Sequence, residues 1–149
     1  MSKDMFENIT MEEAMHVVNY AATASGEIID TQGYESLLFV IWVGPNTGNA
    51  FDATHNVTFT VQKDDQVGFA SGTSIAAGDY YGAKRASNAA WDRILDAVAD
   101  DEESFVIGVD LNDPANRWYR LIATMAGTVT TIEVDAQAIL GHPRHAPVS

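Results

Sequence analysis

The stretch Arg117 to Ser149, RWYRLIATMAGTVTTIEVDAQAILGHPRHAPVS, contains two runs of alternating apolar and polar side chains on either side of Gly127. Successive side chains of a β-strand point to opposite faces, so each run predicts a strand with one buried face. The buried face of the second run would carry Ile132, Val134, Ala136, Ala138 and Leu140. Because glycine readily adopts the positive φ of a tight turn, the pattern predicts a terminal antiparallel hairpin that turns at Gly127.

Upstream of this stretch, residues 37–43 form a continuous apolar run, LLFVIWV, which ends at Gly44 and Pro45. A run of this length and β-branched or aromatic character predicts a central strand that is covered on both faces. Further strands are predicted at residues 15–20, 27–30, 56–62, 67–69 and 104–110.

Two local signals point to helix. Residues 10–13, Thr-Met-Glu-Glu, match a capping box, which predicts a short helical turn. Trp91, Ile94, Leu95 and Val98 have helical spacing, although a strand over residues 90–95 is an alternative interpretation.

These elements predict an all-β protein, an antiparallel β-sandwich or jelly roll with little helix. The chain of 149 residues has the length of one domain, residues 1–149. Within it we distinguish a polar N-terminal segment (1–14), a long excursion (70–100) and a Pro-containing C-terminal tail (141–149).

Composition excludes several classes of function. The chain has no cysteine, which excludes disulfides, thiolate metal sites and cysteine nucleophiles. Its net charge is −13, so no nucleic-acid partner is expected. Residues 1–116 hold five basic and 19 acidic side chains, whereas residues 117–149 hold three and two. This asymmetry is compatible with a near-neutral C-terminal end that docks on a partner, and equally with an acidic surface of no special role.

No apolar run approaches the roughly 20 residues of a membrane helix, and residues 1–15 lack the pattern of a signal peptide. We therefore expect that the protein is synthesised in a cytoplasm and that it does not associate with a membrane.

The sequence contains only weak candidates for catalytic or metal-binding motifs. His142 and His145 have H-x-x-H spacing, but they lie in a Pro-containing tail without a neighbouring carboxylate. Residues 110–113, Asp-Leu-Asn-Asp, could offer oxygen ligands to calcium, although an Asp/Asn-Pro turn explains them more simply. Asp52 and His55 lack a nucleophile motif such as G-x-S-x-G. We expect no enzyme activity, metal or cofactor.

A second hypothesis is a carbohydrate-binding β-sandwich module, with residues 110–113 as the ligands if its binding depends on calcium. Trp42, Trp91 and Trp118 could form a sugar platform, although aromatic residues on strands are more often part of the core.

The C-terminal stretch also resembles the ending of head decoration (cement) proteins of tailed bacteriophages, of the small jelly-roll type. That family has an R-Y-(L/V)-R strand, a Gly-Thr turn, a second alternating strand and a G-R/H-P-R-H-A tail. Here the corresponding segments are RWYR at 117–120, Gly127-Thr128 and GHPRHA at 141–146. The runs LLFVIWVG (37–44) and NVTFTVQKDD (56–65) are similar in order and character, and residues 70–100 have no counterpart.

The resemblance implies a virion structural protein without catalytic residues, located on the outer surface of the capsid after synthesis in the host cytoplasm. It implies that the major capsid protein is the partner and that the protein forms a homo-oligomer, preferably a trimer. Candidate contact residues with the capsid or a neighbouring subunit are Arg117, Arg120, His142, Arg144 and His145.

Overall fold

The computed structural model describes residues 9–76, 79–81, 93–95, 104–128 and 131–143. These residues contain strands and loops but no α-helix. The described strands are β1 (Thr10–Tyr20), β2 (Ala24–Ser25), β3 (Ile29–Asp30), β4 (Tyr34–Asn46), β5 (Asn56–Asp64), β6 (Thr73–Ser74), β7 (Tyr80–Tyr81), β8 (Arg93–Leu95), β9 (Ser104–Asp110), β10 (Trp118–Ala126) and β11 (Ile132–Pro143).

The strands form two antiparallel sheets. The first sheet has the order β1-β11-β4-β9-β7. In the second sheet β10 pairs with β5 and with the short strands β2 and β3, and β5 also pairs with β6 and β8. The chain changes sheet between β1 and β2, between β3 and β4 and between β4 and β5, and again from β9 to β10 and from β10 to β11. This is the topology of a jelly roll, so the predicted fold class is confirmed.

The core lies between the two sheets and is formed by alternate residues of their inner faces. Phe59 of β5 and Phe105 of β9 meet edge to face across it, with ring centroids 5.4 Å apart. The Tyr80 hydroxyl on β7 accepts a hydrogen bond from the backbone N–H of Val61 on β5 at 3.0 Å. The largest fully buried side chains include Tyr119, Phe39, Phe59, Met15, Ile29, Leu37 and Ile41.

The alternation predicted for the second C-terminal run is confirmed. Ile132, Val134, Ala136, Ala138 and Leu140 are all fully buried. The predicted hairpin, however, is wrong, because β10 belongs to the second sheet and β11 to the first. Gly127 does have a positive φ of 69°. Its turn carries the chain from one sheet to the other instead of folding β11 back on β10.

Two other local predictions are wrong, the first because strand pairing outweighs the capping-box signal and the second because a local turn forms instead of a strand. Residues 10–13 lie in β1, where Thr10 to Glu13 pair with Leu140 to Gln137 of β11. Residues 67–69 form a turn in which the Phe69 N–H bonds the Gln66 carbonyl at 3.1 Å.

Of the residues covered by the two interpretations, 90–98, the structure describes only 93–95, and these form β8, which pairs with β5 as the strand interpretation predicts. Most of the predicted excursion at 70–100 lies outside the described residues. The tail at 141–149 begins within β11, and residues 144–149 lie outside them.

Candidate functional site

The outward-facing side of the first sheet, hereafter the outer face, presents exposed apolar side chains. Trp42 on β4 is 45% exposed and Met11 on β1 is 63% exposed. Residues directly opposite one another in a strand pair share a face, so the pairing defines the members. They are Met11 and Glu13 of β1, Leu38, Val40 and Trp42 of β4, Val106 of β9, and Glu133, Asp135, Gln137 and Ile139 of β11.

The structure corrects one prediction at this surface. The continuous run at 37–43 predicts burial on both faces, but only Leu37, Phe39, Ile41 and Val43 are buried. Leu38 and Val40 are partly exposed, and Trp42 is exposed. The central strand of the first sheet therefore presents apolar side chains that no described element covers fully.

Carboxylates surround these apolar side chains. Glu13, Glu133 and Asp135 all lie on the outer face. The pKa of the nearby Tyr20 hydroxyl is raised, first by burial and then by the charges of Glu13, Glu27 and Asp135. The outer face thus combines an apolar centre with a negative potential.

The basic side chains that the structure describes lie elsewhere. Lys63 and Arg120 are on β5 and β10, and Arg117 immediately precedes β10, so all three belong to the second sheet. These cations are therefore separated from the acidic outer face, and each is paired locally with a carboxylate or an amide.

Arg117 is held by an ion pair across the end of the second sheet. Its Nε and Nη2 atoms donate to the two carboxylate oxygens of Asp30 at 2.6 and 2.5 Å. The hydrogen bonds raise the pKa of Arg117 and lower that of Asp30. The guanidinium carbon also lies 4.7 Å from the centre of the Trp118 ring. Trp118 is therefore partly covered by a cation, which weakens its candidacy as a sugar platform.

Arg120 fixes the loop that follows β5. Its Nε and Nη2 atoms donate to the side-chain oxygen of Gln62 at 3.1 and 2.9 Å, and its guanidinium lies 4.3 Å from the Phe69 ring centre. Asp64 closes the same loop by accepting hydrogen bonds from the backbone N–H groups of Gln66 and Ser71. Burial raises the pKa of Asp64, but these hydrogen bonds outweigh burial and the net shift is downward.

His142 lies near the end of β11 with a positive φ of 53°. Its Nδ1 is 2.9 Å from the Ser36 hydroxyl oxygen on β4. Arg144 and His145 lie outside the described residues. The structure therefore does not bring the described candidates together, because Arg117 and Arg120 are on the second sheet and His142 is on the first.

The two loops with candidate catalytic or calcium-binding residues, 52–55 and 110–113, are turns that are stabilised by hydrogen bonds within each loop. The Asp52 carboxylate contacts the His55 imidazole at 3.1 Å and accepts from the Thr54 hydroxyl and both backbone N–H groups, which lowers its pKa. In the loop after β9, the amide of Asn112 donates to Asp110 at 2.5 Å. Within the described part of the chain, no group of three or more His, Asp or Glu side chains could hold a metal ion.

Asp113 in the same loop is paired with a cation. It accepts from the Lys63 ammonium at 2.8 Å, from the Asn116 amide at 2.7 Å and from the Ala115 N–H at 3.0 Å. The Lys63 hydrogen bond is the largest cause of a fall in the pKa of Asp113 to about 2.

A small polar cleft opens beside these ion pairs. It has a volume of about 210 Å³ and lies between the turn at residues 31–33 and the loop at residues 111–117. It is separate from the outer face and shares no residue with it.

The sequence places Asp135 on the solvent-exposed face of its strand and offers Trp42 as a sugar-platform residue, but it names neither as a contact residue for a protein partner. Alternation within β11 is the signal for Asp135, and only the pairing of β4 with β11 places Trp42 on the same face. Their exposure, however, depends on whether another element covers that face.

No family model matches the chain, and no curated protein matches it. Among the described residues there is no helix long and apolar enough to span a membrane.

Proposed function

We propose that the protein is a virion structural protein that binds the outer surface of the major capsid protein and stabilises a tailed-bacteriophage head. The resemblance of residues 104–149 to the ending of small jelly-roll decoration proteins supports this assignment. The segment with the strongest resemblance includes β11, which lies between β1 and β4 and supplies the middle of the outer face.

The observation that carries the proposal is the exposure of Trp42. It belongs to an apolar run whose composition suits burial on both faces, yet the outward half is only partly covered. Large exposed apolar patches with a polar rim are typical of protein–protein contacts. A capsid surface that packs on the outer face would supply the missing cover.

The charges indicate what the contact surface of the partner is like. Glu13, Glu133 and Asp135 surround the apolar centre, so the complementary surface carries Lys or Arg around apolar side chains. Rim charges are screened by salt, and association is therefore expected to slow as ionic strength rises. The apolar contribution of Trp42 should persist at high salt.

Co-sedimentation tests the proposal directly. Purified protein is mixed with expanded capsids that lack it and is then pelleted with them. The protein is expected in the pellet at saturating, stoichiometric occupancy. Failure to pellet with capsids of any maturation state would overturn the proposal.

A matched pair of variants tests the surface itself. Trp42→Ser should lower capsid affinity by about 2 kcal/mol or more, roughly 30-fold, as for a central interface tryptophan. Val67→Ser removes another exposed apolar side chain, 57% exposed, from the loop after β5 and should leave affinity unchanged. Equal affinities of the two variants would exclude the outer face as the contact surface.

The same resemblance leads us to propose a trimer. When three subunits bind a symmetric lattice together, avidity makes their overall affinity much higher than that of one modest contact. Light scattering of the free protein should give three times the chain mass of 16.1 kDa. A monomer mass at all concentrations would contradict this assembly.

A further inference from the structure

The polar cleft at the end of the sandwich is a second surface that the proposed function does not use. Residues 31–33 form one wall, and Leu111, Asp113, Pro114, Asn116 and Arg117 form the other. With a volume of about 210 Å³, the cleft is smaller than the roughly 300–1,000 Å³ of sites for drug-sized ligands. It can hold one ring or the end of a chain.

Each charged group at the cleft already has a partner of opposite sign. The Arg117 guanidinium is paired with Asp30, and the Lys63 ammonium lies 2.8 Å from the Asp113 carboxylate and 3.8 Å from that of Asp79. A fully anionic or cationic ligand would have to compete with one of these pairs. The electrostatics therefore favour a ligand without net charge.

The Arg117 side chain is held in place by contacts that do not use its Nη1 donor group. Asp30 engages its Nε and Nη2 atoms, and its backbone carbonyl accepts from both the N–H and the hydroxyl of Thr31 at 3.0 and 2.7 Å. Among the described residues, nothing accepts a hydrogen bond from its Nη1. A donor that is already fixed by its other contacts loses little entropy when a ligand oxygen binds.

Two amides add the complementary groups. Asn116 donates its Nδ2 to Asp113, which leaves its Oδ1 as an acceptor. The side-chain amide of Gln32 makes no hydrogen bond to another described residue, and only its backbone N–H is engaged, by Asp30 at 3.0 Å. The cleft therefore offers both donors and acceptors at neutral groups, together with the apolar ring of Pro114.

We propose that this cleft binds a neutral, hydroxyl-rich ligand, namely a single saccharide unit or the end of a glycan. Each hydroxyl group both donates and accepts hydrogen bonds, which matches the mixed amide and guanidinium lining. The site differs from the carbohydrate hypothesis drawn from the sequence because it uses neither a tryptophan platform nor calcium. It does not depend on the proposed capsid role.

The test is an NMR titration of the full-length, isotope-labelled protein. The probes are the neutral sugars D-glucose, D-galactose, D-mannose and N-acetyl-D-glucosamine, with D-glucosamine and D-glucuronate as charged analogues of the same size. At least one neutral sugar should shift the amide signals of residues 32, 33 and 115–117 and the Arg117 Nε–H signal. The charged analogues should shift them less.

Variants separate this site from nonspecific contact. Gln32→Ala should weaken binding by about 3- to 10-fold, the value of one hydrogen bond. Gln66→Ala, an exposed glutamine in the loop after β5, should leave binding unchanged. The proposal is overturned if no neutral sugar shifts these signals, if the charged analogues bind better, or if Gln32→Ala and Gln66→Ala bind equally.

Discussion

Trp42 and Asp135 lie directly opposite each other on the outer face, as a cross-strand pair of β4 and β11. The Oδ1 atom of Asp135 is buried and has no hydrogen-bond partner among the described residues, whereas the tryptophan beside it is 45% exposed. A buried carboxylate oxygen without a donor costs free energy, because its hydration is lost and nothing replaces it. The isolated chain therefore carries a local instability within its proposed contact surface.

Replacement of Asp135 should stabilise the free protein. Asp135→Val removes the unpartnered oxygen and introduces a β-branched side chain suited to a strand, so the free energy of unfolding should rise by about 1 kcal/mol. The same variant should bind capsids less well, since stabilising changes at functional positions often reduce function. Denaturant unfolding and co-sedimentation measure the two effects.

Glu133→Val is the matched control for this substitution. Glu133 is exposed, lies two residues earlier on the same face of β11 and receives the same new side chain. Its effect on the free energy of unfolding should stay within about 0.5 kcal/mol. If Asp135→Val stabilises no more than Glu133→Val, the buried oxygen is not a source of instability.

The turn between β10 and β11 should tolerate no side chain at Gly127. This residue has a φ of 69°, and a Cβ atom built there would lie 2.2 Å from the Thr54 carbonyl oxygen. Gly127→Ala should lower the free energy of unfolding by about 2–4 kcal/mol, through backbone strain and overlap together. Gly33 also has a positive φ, 89°, but no atom lies within 4 Å of its Cβ position. Gly33→Ala should therefore cost only about 1 kcal/mol, and equal losses in thermal unfolding would contradict the steric argument.

Gly127 also shows how far the sequence predicts the fold. The alternation around it identifies both strands and the buried face of β11, because side-chain direction follows from local backbone geometry. It does not identify the partners of those strands. Each strand has two edges, and those of β11 are taken by β1 and β4, while those of β10 are taken by β5 and the short strands β2 and β3. The jelly-roll prediction already required successive strands to change sheets, and it was correct where the hairpin was not.

The candidate site, like the fold, is predicted only in part by local sequence patterns. Alternation places Asp135 on the exposed face of its strand, but only the pairing of β4 with β11 puts Trp42 beside it. Whether that face is covered depends on every other element of the chain, whereas the apolar run at 37–43 by itself predicts burial on both faces. The ion pair of Asp30 with Arg117 joins residues 87 positions apart, and no local pattern indicates it.

The C-terminal tail should contribute to capsid binding without contributing to stability. Truncation after Pro143 retains the pairing of Gly141 with Ser36 and of Pro143 with Tyr34. The free energy of unfolding should therefore change by less than about 0.5 kcal/mol. Loss of Arg144 and His145 should weaken capsid binding at least about threefold, as expected for the loss of polar contacts at the rim of an interface. The full-length double variant Arg144→Ala, His145→Ala should reproduce this loss, and unchanged co-sedimentation of both proteins would exclude the tail from the contact.

The pair of Lys63 and Asp113 should make stability depend on pH in the acidic range. The folded state lowers the pKa of Asp113 from its ordinary 3.8 to about 2, chiefly through the Lys63 hydrogen bond. Between these values the unfolded state binds more protons than the folded state, so stability rises with pH in this window. The contribution is fully present above pH 4 or so and is lost as the pH falls towards about 2.

A double-mutant cycle measured across this range isolates the pair. Asp113→Asn and Lys63→Met should each lower stability near pH 7, and their coupling should stay below about 1 kcal/mol because Asp113 is about one-third exposed to solvent. The difference between the native protein and Asp113→Asn should shrink as the pH approaches 2, where the native carboxyl is itself protonated. With Lys63→Met as background, most of this pH dependence should disappear. A difference that stays constant from pH 7 to pH 2 would show that the Asp113 charge adds nothing to stability and that its hydrogen bonds to Ala115 and Asn116 act alone.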